Sequence, residues 1–106
     1  MAQQLTKTLR RVCQFLRLQD ISPFRLCLVE GLADSDDVWA DVGRGAKLFT
    51  IRLDAALARD YPQVAALLVI HEAAHIVTWD TLETDHGPTF GLAYSMLYRL
   101  WMAELS

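Results

Sequence analysis

Val64-Ala65-Ala66-Leu67-Leu68-Val69-Ile70-His71-Glu72-Ala73-Ala74-His75-Ile76-Val77 is the stretch on which the fold turns. Apolar residues fill nearly every position, so as a helix it is buried on almost all sides and is not an amphipathic surface element. Only His71, Glu72 and His75 interrupt it. Residues four apart project from one helix face, one turn apart, so the two histidines can reach a single cation. A glutamate beside the first histidine can take a proton from a water on that cation. Ionisable groups in a buried helix need partners, and one divalent cation satisfies all three. The stretch predicts a core helix that carries a metal site and a general base, and it points to zinc-dependent hydrolysis of peptide bonds.

The flanks extend this reading. Pro62 belongs in a first helical turn, and Asp60 with Gln63 three on resembles a capping box, so the helix is expected to start there and run to Thr78 or Trp79. Residues 80–85 form a polar, acidic connection. Gly87-Pro88 then opens a last helix to about Glu104, with Phe90, Ala93, Tyr94, Leu97, Leu100 and Trp101 as its inner stripe. Catalytic zinc takes three protein ligands and leaves the fourth position to water. His86, the one remaining histidine, is the candidate third ligand; Glu83 and Asp85 are the alternatives. Asp80 or Asp85 is a candidate acceptor for the second N–H of a ligand histidine. Tyr94 and Tyr98 are candidate oxyanion donors, although their spacing with Phe90 and Trp101 favours core packing.

The preceding part reads as a helix and three strands. Leu5, Leu9, Val12 and Leu16 recur at helical spacing opposite Lys7, Arg10, Arg11, Gln14 and Arg17, which predicts an amphipathic helix over 5–18 with a solvated basic face. Residues 24–32 read as an interior strand closed by Gly31, and residues 33–37 as an acidic surface turn. Residues 38–42 and 48–53 alternate and are joined through Gly43-Arg44-Gly45, which suits a hairpin. Either strand is a candidate edge for an extended peptide, with Arg52 a candidate contact on the non-core face. Asp54 is expected to cap a short helix over 55–59. The order predicts an α+β domain: an N-terminal helix, a three-stranded, mainly antiparallel sheet, the motif helix and a C-terminal helix.

Composition sets the limits. The 106 residues suit one domain, and a hydrophobic content of 53% builds one core. No run approaches the roughly 18–20 apolar residues of a membrane span. A net charge of −3 argues against a nucleic-acid module working by bulk electrostatics. Cys13 and Cys27 lack CxxC spacing and read as reduced, buried thiols. With no apolar signal core after Met1, the expected location is the cytoplasm.

With these residues in place, the chain resembles the zincin metallopeptidases and, among them, the SprT-like (Spartan) family. The resemblance rests on His71-Glu72-x-x-His75, on His86-Gly87-Pro88-x-Phe90, similar to that family's H-G-P-x-F segment, and on Ile51-Arg52-Leu53-Asp54 leading toward the motif helix. It spans about residues 47–100. The metzincin spacing is absent, because residues 77–80 hold no glycine or histidine. The resemblance implies a zincin-like fold, zinc on His71, His75 and His86, Glu72 as catalytic acid/base, and a protein or peptide substrate. It also implies, for the family's best-known members, proteolysis of DNA-bound proteins. This chain departs there: no cysteine follows Cys27 and the net charge is acidic. The expectation is a minimal, stand-alone zinc endopeptidase. The alternative is a non-catalytic zinc-binding or regulatory domain that keeps the fold.

Overall fold

The computed structural model describes residues 5–81 and 86–106. Thr6, in extended conformation, accepts the Leu9 N–H on its hydroxyl and so starts the first helix, α1 (Lys7–Arg17). Supplying that cap places Thr6 outside the helix, which therefore begins two residues later than its apolar spacing suggests. Leu9, Val12, Cys13, Phe15 and Leu16 are buried, and the basic residues face outward. Two of those cations have structural partners. Arg11 donates to the Glu104 carbonyl at 2.7 Å, and the Arg17 guanidinium lies 4.9 Å from the Phe24 ring centroid.

Three strands follow: β1 (Phe24–Val29), β2 (Ala40–Arg44) and β3 (Phe49–Asp54), in the spatial order β1-β3-β2. The expected hairpin is present, with β2 and β3 antiparallel. Its turn sits further on than expected: Gly43 and Arg44 belong to β2, and the Gly45 N–H donates to the Leu48 carbonyl at 2.9 Å. The expectation of a mainly antiparallel sheet is corrected. β1 runs parallel to β3, from Phe24 opposite Phe49 to Val29 opposite Asp54, so the sheet is mixed. The physical reason lies in β3, whose Phe49, Ile51 and Leu53 are all buried. β3 therefore takes the centre, and β1, expected as an interior strand, lies at one edge with β2 at the other.

The segment between β1 and β2 also departs from expectation. The strand ends at Val29, and residues 33–37 are not a plain turn: α2 (Leu32–Asp36) forms there between Gly31 at φ 70 and Asp37 at φ 58. Leu32 is fully buried, which draws the segment inward. The Asp54 carboxylate fixes it by accepting the Ala33 N–H at 3.0 Å.

Asp54 also accepts the Leu57 N–H and caps α3 (Ala55–Asp60), as its position implied. The motif helix, α4 (Pro62–Val77), has Pro62 in its first turn, but Asp60 is the last residue of α3 and Tyr61 occupies the cap, so the Asp60–Gln63 capping box does not form. Ala65, Ala66, Val69, Ile70, Glu72, Ala73, Ala74 and Ile76 of α4 are buried. This core helix packs against α1, α3, β2, β3 and the last helix, α5 (Pro88–Leu105). α5 buries a narrow stripe of Phe90, Leu97 and Trp101. Leu100, expected on that stripe, is 48% exposed, because it lies about 100° round the helix from Trp101. Five helices and a three-stranded mixed sheet thus make an α+β domain among the described residues. No described helix is long and apolar enough to cross a membrane.

Candidate metal centre

Residues 71–75 lie in the last half of α4, where the helix surfaces between β2 and α5. His71 and His75 are half-buried one turn apart, with ring centroids 5.1 Å apart. His86 stands just before Gly87, the N-cap residue of α5, and the packing of α5 on α4 brings it to the same place. Its Nε2 lies 3.3 Å from His71 Nε2. Phe90, one turn into α5 and 8% exposed, forms the floor. Its ring stacks on His75 at 4.3 Å and 29°, and meets His71 at 5.0 Å and His86 at 4.9 Å. Tyr94 adds a second ring, 5.6 Å from His71.

The donor set suits zinc. Two nitrogens each about 2.0–2.1 Å from a tetrahedral zinc stand roughly 3.3–3.4 Å apart. The 3.3 Å between His71 and His86 has that length, which is also that of an N–H···N hydrogen bond. One ligand atom from each of His71, His75 and His86 lies within 4.8 Å of the others. Burial, followed by the neighbouring His75 and His86, pushes the His71 pKa down. That direction favours the neutral imidazole of His71, the form that binds metal.

Glu72 follows His71 directly on α4 and is only 7% exposed. Burial first, then the negative charge of Asp41 on β2, pushes its carboxyl up to about 7. A cation on the adjacent histidines acts in the opposite direction and favours the ionised form.

Other candidates fall elsewhere. Glu83 and Asp85, the alternative ligands, lie outside the described residues. Asp80 pairs with Arg44, which donates to it at 3.2 Å. Tyr94 is half-buried against the core and stacks with Phe90 and Tyr98, in keeping with a packing role. Of the two candidate edge strands only β2 is an edge, since β3 is paired on both sides. Arg52 is not a free arginine: it donates through Nε and Nη2 to both carboxylate oxygens of Asp41 and through Nη2 to Asp36 at 3.0 Å. That clamp ties β2 and α2 to the central strand. Asp41 is the site residue that sequence reasoning missed. Its signal was present in the hairpin, where alternation places Asp41 directly opposite Arg52.

Comparison with protein-family models, with curated proteins and with solved structures finds no match for this chain.

Proposed function

We propose that the protein is a zinc-dependent endopeptidase of the zincin type, resembling a minimal SprT-like domain, with His71, His75 and His86 as metal ligands and Glu72 as general base. The observation that carries this reading is the convergence of all three histidines from two elements, with a buried carboxylate adjacent in sequence to the first. Zinc, when bound, supplies Lewis acidity and brings a water into the range where a carboxylate can deprotonate it. Glu72 then takes the proton on a carboxylate oxygen and passes it to the leaving amine nitrogen. Phe90 keeps the histidine rings packed and shields the inner side of the cluster from water. The free edge of β2, braced by the Arg52–Asp41 clamp, can hold an extended peptide by strand pairing. Cys13 and Cys27 are free thiols, which supports a cytoplasmic setting.

The test is metal content together with proteolysis. The purified protein should bind about one zinc per chain and cleave an unfolded protein such as casein. Glu72→Gln should retain the zinc and lose the cleavage. A zinc-loaded protein that cuts no member of a broad peptide library would refute the reading and leave the non-catalytic zinc domain in its place.

A further inference from the structure

A cavity of about 440 Å³ opens between α1, α4 and α5, reaching along α4 to Leu67, one turn before His71. Its walls are mainly apolar, with Ala66, Leu67, Trp101 and Met102 among them, and Thr8, Arg11 and Gln63 are the polar members. The volume falls within the roughly 300–1,000 Å³ typical of ligand pockets. Residues on both flanking helices link the cavity to the cluster. On α5 the rings of Phe90, Tyr94 and Tyr98 follow one another at 6.1 and 6.2 Å, so one aromatic row leads from the floor of the cluster to the cavity wall. On α4 Leu67 lies one turn before His71 on adjoining parts of the same face.

We propose that this cavity receives a large apolar side chain, phenylalanine or leucine in kind, from the same peptide whose scissile bond lies at the histidine cluster. The inference rests on the peptidase reading and names its substrate preference. The cavity is lined by α1, α4 and α5 and by no residue of β2, so it serves a part of the peptide that β2 does not hold. Leu67 and Gln63, which bound it along α4, precede His71 by four and eight residues, or about 6 and 12 Å of helix. An extended peptide advances about 3.3 Å per residue, which puts the bound side chain about two to four residues from the scissile bond. Arg11 stands at the far end with its guanidinium exposed, one N–H given to the Glu104 carbonyl and others free to face a ligand. Its charge opposes a lysine or arginine in the cavity.

The experiment uses the zinc-loaded full chain and fluorescent decapeptides that differ only in placing Phe, Ser or Lys at the second, third or fourth position from a common cleavage site, on either side. Met102 is 44% exposed, so Met102→Glu and Met102→Trp can charge or fill the cavity without disturbing the core. One of the Phe peptides should be cleaved with kcat/KM about tenfold or more above its Ser and Lys counterparts, and both variants should abolish that ratio. Cleavage with no Phe preference, or a preference indifferent to both variants, overturns the inference and leaves the peptidase reading intact. Fluorescence anisotropy of the same peptides on zinc-loaded Glu72→Gln gives a readout independent of turnover. Phe-selective binding that Met102→Glu removes, with no cleavage by the wild type, supports the cavity while refuting the peptidase. Neither binding nor cleavage of the Phe peptides overturns the cavity as well.

Discussion

At the scale of single residues, the site divides into what spacing encodes and what packing brings together. His71, Glu72 and His75 were legible because a helix fixes their relative directions locally. His86 was legible only as a candidate, since its approach to His71 depends on how α5 packs across α4. Asp41 was invisible as a neighbour of Glu72 because strand register and sheet–helix packing together set that proximity. The ligand assignment predicts that His86→Ala weakens zinc binding, in a competition titration with a chromophoric chelator, by more than the roughly 10–100-fold that loss of a supporting partner costs. Zinc affinity unchanged by His86→Ala would remove His86 from the ligand set. Phe90 makes a subtler prediction. Phe90→Leu keeps the floor apolar but deletes the ring faces against three imidazoles. It should cost less than the roughly 3–5 kcal/mol of a buried Phe→Ala truncation in denaturant unfolding, while still reducing zinc affinity measurably.

At the scale of elements, Asp54 shows how one carboxylate joins several. It ends β3, caps α3 through the Leu57 N–H at 3.0 Å and anchors α2 through the Ala33 N–H at 3.0 Å. The Ala33 bond, then the Leu57 bond, hold its pKa below the ordinary value of 3.8. A carboxyl whose folded pKa is depressed stabilises the fold fully above its unfolded pKa and loses that contribution as pH falls through the folded value. Asp54→Ala should therefore cost about 2–3 kcal/mol at pH 7, a helix cap plus a second buried bond. The gap between wild type and variant should stay level down to about pH 5 and close below pH 4, as followed by urea unfolding across that range. A gap independent of pH would mean that the ionised carboxylate contributes nothing beyond its shape. The sequence revealed the cap at Asp54 but not the anchor on α2. The first is a local pattern, whereas the second depends on Leu32 being buried, and so on tertiary contact. The strand order was hidden for the same reason. Alternation and turn residues identify strands and a hairpin, but only competition for burial decides that β3 lies between β1 and β2.

For the whole molecule, the question is whether the metal is part of the fold or is held by it. The buried cluster runs continuously through α1, β1, β3, α4 and α5, from Leu9 and Phe24 to Ile51, Ile70 and Trp101. The three candidate ligands sit at its rim, half-buried or exposed. A structural zinc domain is built the other way, with the metal in place of a core, and it unfolds on chelation. Here the core is assembled from side chains other than the candidate ligands, so removing zinc should leave the chain folded. The stability lost should be only the binding term, about 2.7 kcal/mol where free zinc stands at 100 times its Kd. For a domain of this size each kcal/mol is worth roughly 4–8 °C, so the melting temperature should fall by about 10–20 °C on adding EDTA. Far-ultraviolet circular dichroism at 20 °C should be unchanged. Loss of helix signal on chelation at 20 °C would show that the histidine cluster holds α4 and α5 together, which favours the structural zinc domain over the peptidase. A retained fold that has lost only its cleavage would instead place the metal where an enzyme keeps it, on a surface already built.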